Sequence, residues 1–248
     1  MSENFVYGLH AVTALLGNRH RKIHQLFITE ERKDKRFQNL LEMAIRSQVN
    51  IETLSNAQMN QRFAEAAHQG IVASVAPLPD YAESDLEHLL ENSKSPCLIL
   101  ILDGVTDPHN LGACLRTADA SGVDFVIIPK DKSATITPVV AKVACGAVET
   151  IPVVRATNLV RAIEALKQRG VWVYGAAGEA CDSVYRMDWK SSIAVVMGAE
   201  GSGMRRLTRD HCDGLFSIPM LGSVSSLNVS VATGVTLYEV VRQRVAIS

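Results

Sequence analysis

Cys97-Leu-Ile-Leu-Ile-Leu-Asp-Gly-Val-Thr-Asp-Pro-His-Asn-Leu-Gly-Ala-Cys-Leu-Arg-Thr-Ala-Asp119 opens with an unbroken apolar run and then changes character. Leu98 to Leu102 shows no alternation, and a short apolar run of that kind is a strand covered on both faces, as in a parallel sheet. After Asp103 the apolar residues Leu111, Leu115 and Ala118 fall at helical spacing. The same unit recurs downstream. Apolar runs stand at Leu98–Leu102, Phe125–Ile128, Ile151–Val154, Val171–Tyr174, Ile193–Met197 and Leu215–Ile218, with helical stretches between most of them. Strands alternating with helices make an α/β domain with a parallel sheet, predicted here over residues 97–248. Ligands of such sheets bind beyond the carboxyl ends of the strands. The loops that follow the strands are therefore where chemistry is sought.

Upstream, the 248-residue chain divides by composition. Residues 77–96 hold Pro77, Pro79, scattered acids and Asn92-Ser-Lys-Ser95 around a short helix near Leu86 to Leu90, a linker composition. Residues 1–76 alternate as a small α/β unit: a helix near Ala11–Leu16, a strand near Ile23–Ile28, a helix near Phe37–Ser47, and strands near Ile51 and over Ile71–Val75. The formal net charge of -1 hides an uneven distribution. Residues 1–75 carry nine Lys and Arg against seven Asp and Glu, residues 76–104 one against six, and residues 105–248 fifteen against thirteen. The acidity sits in one short segment, so the polar stretches Arg19–Lys22 and Arg32–Arg36 are either solvated loops or phosphate-tracking loops. No apolar run approaches the ~20 residues of a membrane span, and the start of the chain lacks the pattern of a signal peptide; a cytoplasmic protein is expected. The five cysteines form no Cys-x-x-Cys pair, and neither they nor the seven histidines have metal-ligand spacing, so no metal is expected.

Three loops carry candidate chemistry. In the first, Asp107 or Asn110 can cap the helix that Pro108 begins, and Arg116 falls off the buried stripe near the strand end, either as a surface ion pair with Asp119 or Asp103 or as a functional cation. The second, Gly198-Ala-Glu-Gly-Ser-Gly-Met204, places three glycines in six positions, permitting close backbone approach to a ligand. Its glycine order is not the dinucleotide fingerprint and it has no phosphate-gripping lysine. Glu200 at its centre suits a sulfonium or ammonium better than a phosphate. The third, Ile218-Pro-Met-Leu-Gly-Ser-Val-Ser-Ser-Leu-Asn-Val-Ser-Val-Ala232, leads into a helix apolar on nearly every side, which belongs in a core or a subunit interface. Ser225, Ser226 and Asn228 are either caps of that helix or site residues.

Taken in order, the three loops resemble the three motifs of the SpoU, or TrmH-like, RNA ribose 2′-O-methyltransferases of the SPOUT superfamily, over about Leu98 to Glu239. Tyr7-Gly-Leu-His-Ala-Val12 and His68-Gln-Gly-Ile-Val72 resemble the small RNA-binding domain attached in members acting on large-subunit ribosomal RNA. The resemblance implies an α/β catalytic domain tied in a deep trefoil knot, an exception to the rule against knots, and a homodimer formed through that C-terminal domain. It implies S-adenosyl-L-methionine as cofactor, contacted by Gly198, Ile218 and Leu227. It implies 2′-O-methylation of one guanosine ribose in the peptidyl-transferase region of 23S ribosomal RNA, on naked RNA or a large-subunit assembly intermediate, or else of another rRNA or tRNA position.

The resemblance makes Arg116 the essential catalytic residue, and the chemistry of Asn110, Glu200, Ser226 and Asn228 assigns them to the catalytic site beside it. A guanidinium stays charged under essentially all conditions. Arg116 is therefore expected to clamp the neighbouring phosphate and polarise the 2′-hydroxyl, with phosphate or water taking the proton. Asn110 and Asn228 suit orientation, Ser226 donation to cofactor or nucleotide, and Glu200 the holding of the arginine or the donor's positive end. Two other classes stand beside this one. One is a non-catalytic RNA-binding module, which the presence of all five residues disfavours; the other is a nicotinamide-dependent dehydrogenase, which lacks its glycine fingerprint.

Overall fold

The structure, a computed structural model, describes residues 4–17, 21–63 and 68–245. Two compact units are present, one of Met1–Pro79 with Cys145–Thr150 and the other of Asp80–Ala144 with Ile151–Ser248. Arg19 and His20, part of the first basic stretch, lie outside the described residues.

The first unit runs β1 (Asn4–Tyr7), α1 (Leu9–Gly17), β2 (Ile23–Thr29), α2 (Lys35–Arg46), β3 (Ile51–Leu54), α3 (Asn56–Arg62) and β4 (Ile71–Val75). Its sheet has the order β1-β4-β2-β3, antiparallel except for the β2–β3 pair. Strand alternation sends Leu26 and Ile28 to the face covered by Leu9, Val12 and Leu15 of α1 and Phe37 and Leu40 of α2. Phe27 goes to the other face, with Met59, Phe63 and Val72. Asp34 starts α2 by accepting from the Phe37 N–H at 3.2 Å, and a Ser55–Gln58 capping box starts α3. Strand β1 and helix α3 escape the sequence reading because β1 is a four-residue edge strand and α3 buries a single side chain, Met59. The basic stretches also sort themselves. Arg21 is buried, its Nη1 donating to both oxygens of Glu149 at 2.8 and 2.9 Å, so it is not a phosphate ligand. Lys33, Lys35 and Arg36 are exposed.

The second unit runs β5 (Tyr81–Ala82), α4 (Leu86–Glu91), β6 (Leu98–Asp103), α5 (Pro108–Ala120), β7 (Phe125–Pro129), α6 (Pro138–Val143), β8 (Val153–Ala156), α7 (Leu159–Gln168), β9 (Trp172–Ala176), β10 (Ile193–Gly198), α8 (Arg206–Asp210), β11 (Gly214–Phe216) and α9 (Val229–Val245). The seven strands are all parallel in the order β11-β9-β10-β6-β7-β8-β5. Every residue of β6 is buried, as its continuous apolar run requires. The segment read as a linker is not one beyond Pro79. Tyr81 and Ala82 pair with Val154 and Arg155 at the sheet edge, and Leu86 joins the unit's core. Two residues are too few to show a strand period, and the tertiary partner creates the strand. The strands near Ile151 and Val171 begin one or two residues later than their apolar runs, and β11 ends at Phe216, short of Ile218.

From β6 the chain builds outward through β7 and β8, whereas β10, β9 and β11 lie on its other side. The order of assembly thus reverses between β6 and β10, whose last residues, Asp103 and Gly198, are paired. The first two candidate loops leave the sheet at this switch point. Helix α9 buries Val229, Thr233, Thr236, Leu237, Glu239 and Val240, packing on α5, but leaves Val231, Tyr238 and Val245 exposed. Its apolar circumference is thus only half used within the chain. No helix among the described residues is long and apolar enough to cross a membrane.

Candidate active site

Asp107 caps α5 with its carboxylate accepting from the His109 N–H at 2.8 Å, with Pro108 in the first turn. Asn110 is freed for another task. It is buried, and its Oδ1 accepts a hydrogen bond from Asn228 Nδ2 at 3.0 Å. Leu111, Leu115 and Ala118 are buried as their spacing predicts. Arg116 stands exposed on the same helix, engaged in no hydrogen bond or ion pair among the described residues. The surface pairs considered for it do not form. Asp103 is taken by Arg205, whose N–H donates to Oδ2 at 2.8 Å and whose Nε lies 3.4 Å from Oδ1.

The glycine loop folds back on the end of β10. Ala199 and Gly203 exchange backbone hydrogen bonds of 3.1 and 2.9 Å, and Gly203 carries φ +68°. The fold-back brings backbone so close to Gly198 that a Cβ there would lie 2.2 Å from Gly203 C and Met204 N. Only glycine fits. Glu200 projects from this loop, and one of its carboxylate oxygens accepts from Asn228 Nδ2.

Asn228 also caps α9, its Oδ1 accepting from the N–H and Oγ of Ser230 at 2.9 and 2.6 Å. The oxygen caps, while the amide nitrogen joins Asn110 of the first loop to Glu200 of the second. Ser225 and Ser226 are not the cap; they are exposed beside a cavity.

That cavity, about 730 Å³, lies at the carboxyl ends of β9, β10 and β11. Gly198, Glu200, Ile218, Ser226, Leu227 and Asn228 all line it. Asn110 touches the lining residues without lining the cavity, and Arg116 does not line it. A fourth loop, Ala177 to Glu179 after β9, contributes as well, and so does Arg209 of α8, whose guanidinium pairs with Glu179. A hydrogen bond from its own N–H, with that guanidinium, holds the Glu179 carboxyl below the usual range. The available signal for this loop was its place after the Val171–Tyr174 run, the position already singled out in the other three.

The nearby thiols are chemically quiet. Burial pushes Cys114, on α5 beside Thr233, up to about 11 and Cys212 up to about 12, so neither offers a thiolate near neutrality. No group of three or more His, Cys, Asp or Glu among the described residues could hold a metal ion.

The SpoU rRNA methylase family model matches residues 97–238, which include all three loops. The chain belongs to this family. Residues 5–81 match a second model, described as RNA 2′-O ribose methyltransferase substrate binding. Among similar SpoU proteins, the 23S rRNA (guanosine-2′-O-)-methyltransferase RlmB of Pseudomonas putida is 56% identical over 239 residues, 96% of either chain. That of Pasteurella multocida is 54% identical over 247 residues, 99% of this chain and 100% of the relative. Among solved structures, the SpoU methyltransferase AviRb of Streptomyces viridochromogenes in complex with AdoMet aligns with a TM-score of 0.78 over 98% of this chain and 91% of that one, at 24% identity. At that identity the likeness is one of fold. The Aquifex aeolicus TrmH/SpoU tRNA modifying enzyme aligns over 66% of this chain and 83% of its own, with a TM-score of 0.57 at 30% identity.

Proposed function

We propose that the chain transfers a methyl group from S-adenosylmethionine to the ribose 2′-hydroxyl of a guanosine in 23S ribosomal RNA. One observation carries the reading to the site: the Asn228 side chain ties the first and second loops together at the mouth of a cavity that the second and third loops line. The relatives above supply the substrate class.

The cavity fits the cofactor. Its charged lining side chains among the described residues are Glu179, Glu200 and Arg209, two carboxylates against one guanidinium, a poor cradle for a polyphosphate and a good one for a sulfonium. Met197, Met204, Phe216, Ile218 and Leu227 supply an apolar wall for an adenine, and the bare Gly198 allows backbone contact. Gly198, Ile218 and Leu227 are assigned as cofactor contacts. When bound, S-adenosylmethionine supplies a methyl on a cationic sulfur that leaves as a neutral thioether.

The chain's own residues then orient the nucleophile. A 2′-hydroxyl is a weak acid, and the exposed, uncommitted Arg116 can take the adjacent phosphate and lend the hydroxyl a positive field while phosphate or water removes the proton. Asn110 and Asn228 fix each other's amide orientation through their 3.0 Å bond, and Glu200 fixes Asn228 from the other side. The lining hydroxyl of Ser226 is assigned to cofactor or nucleotide. The first unit, with its exposed Lys33, Lys35 and Arg36, is assigned to RNA capture. The exposed half of α9 supports pairing of two chains through this unit, and the family's knotted path is carried over with that assignment.

Alkaline digestion of RNA labelled from methyl-tritiated cofactor tests the reading. Label in alkali-resistant dinucleotides containing guanosine is expected, because the blocked 2′-hydroxyl can no longer attack its own phosphodiester. Label in ordinary mononucleotides would place the methyl on a base and overturn it.

A further inference from the structure

The cavity has two charged ends, and the methyl-transfer chemistry uses only one. Glu200 and Asn228 mark the first, joined to Asn110 at the β6–β10 switch point. Glu179 and Arg209 mark the second, Glu179 in the loop that follows β9. That loop is fixed to the far side of the sheet, for Ala177 N–H donates to the Phe216 carbonyl of β11 at 2.8 Å. Strand β10 separates β9 from β6, so the second end is displaced across the sheet from the first. Met197, Met204, Phe216 and Ile218 line the same cavity.

We propose that Glu179, oriented by Arg209, recognises the ribose diol of the cofactor's adenosine, an inference that rests on the cofactor reading above. The methyl-bearing sulfur must lie at the Asn228 end, where the hydroxyl is to be methylated. One carbon joins that sulfur to the ribose. The ribose therefore comes before the base, the apolar lining side chains suit the adenine, and Glu179 with Arg209 is the charged pair of the described lining that remains for the ribose. A ribose presents two vicinal hydroxyl donors, and a carboxylate with two acceptor oxygens is the matching group; acidic residues beyond a strand end read ribose hydroxyls in other parallel sheets. Arg209 keeps the carboxylate ionised and aimed, and it is the sole partner that the structure gives Glu179 from outside its own loop among the described residues. Both side chains are partly exposed at the cavity, so a ligand reaches them without unfolding the loop.

Calorimetric titration of the full chain with S-adenosylhomocysteine, its 2′,3′-dideoxy analogue and 5′-methylthioadenosine tests the assignment. Removing the diol is expected to cost the unaltered protein about tenfold in affinity, the worth of hydrogen bonds to a charged acceptor. Glu179→Gln should bind S-adenosylhomocysteine and 5′-methylthioadenosine about tenfold more weakly and no longer distinguish the dideoxy analogue. Arg209→Gln should lose a few-fold on the two diol-bearing ligands and nothing on the third. Undiminished discrimination by Glu179→Gln overturns the proposal while leaving the cofactor reading intact. So does a loss confined to S-adenosylhomocysteine, which would move the pair to the amino-acid end of the ligand. If the unaltered protein binds none of the three, the cofactor reading falls and the proposal falls with it.

Discussion

Both units pair charged side chains with one another, as Arg205 with Asp103 and Lys167 with Asp213 in the second, but they differ in where they hold the remaining polar groups. In the first, several charged side chains are spent on one another: Arg21 on Glu149, Arg32 on Asp34, Arg62 on Glu52 and on the face of Phe27. In the second, polar side chains gather at one edge of a sheet whose strands are otherwise apolar. There Arg116 has no partner among the described residues, while Asn228 is bonded to Asn110, Glu200 and Ser230. A unit that captures a large polyanion needs a firm scaffold carrying a few exposed cations. A unit that carries out a transfer needs groups held rigidly beside one left uncommitted for the substrate. The difference predicts that damage to the first unit alters RNA affinity, and damage to the second alters turnover or cofactor binding.

The strongest break should come at Arg116. Arg116→Ala, and equally Arg116→Lys, is expected to lower methylation by orders of magnitude in single-turnover assays while S-adenosylhomocysteine affinity stays within twofold, because lysine keeps the charge and loses the planar fork. Near-normal turnover by the lysine variant would show that charge alone suffices.

Gly198→Ala comes next. The added Cβ meets backbone at 2.2 Å, so the loop must shift, at a cost of about 1–3 kcal/mol. Cofactor binding should be lost, and the melting temperature should fall by roughly 3–10 °C.

Truncation sharpens the division itself. A chain starting at Asp80 is expected to bind S-adenosylhomocysteine yet methylate long RNA poorly, whereas one starting at Cys97 also loses β5 and the buried Leu86 and should melt lower. Equal melting of the two would return residues 80–96 to the status of a linker.

Asn228 separates a cap from a site. Asn228→Ser keeps an oxygen for the helix and should hold the melting temperature near that of the unaltered chain, whereas Asn228→Ala should lose about 1 kcal/mol. Both should lose activity, since neither side chain bridges Asn110 and Glu200. Recovery of full turnover by the serine variant would reduce Asn228 to its capping role.

The smallest effect is expected in the first unit. Replacing Lys33, Lys35 and Arg36 by Gln should weaken RNA binding several-fold and flatten its salt dependence, with kcat and cofactor affinity unchanged. A kcat effect would contradict the separation of capture from chemistry.

The parallel strands, the helix stripe of Leu111, Leu115 and Ala118, and the glycine loop were legible in the sequence because each is a local pattern. A buried strand must be apolar, a helix repeats every 3.6 residues, and a backbone packed against backbone must be glycine. The same patterns bounded the three loops, and their agreement with known motifs pointed to the residues. Tertiary structure decided what no local pattern encodes. Tyr81 and Ala82 became a strand because β8 stood ready to pair with them. Arg21 was withdrawn from the exposed cations by Glu149, 128 positions away. The lone amide nitrogen of Asn228 found Asn110 across 118 positions and Glu200 across 28. Glu179 met Arg209 at a second end of the cavity that the sequence did not announce. A hydrogen bond between distant residues leaves no periodicity in the chain. It exists only because the sheet order brings the loops after β6, β9 and β10 to one edge.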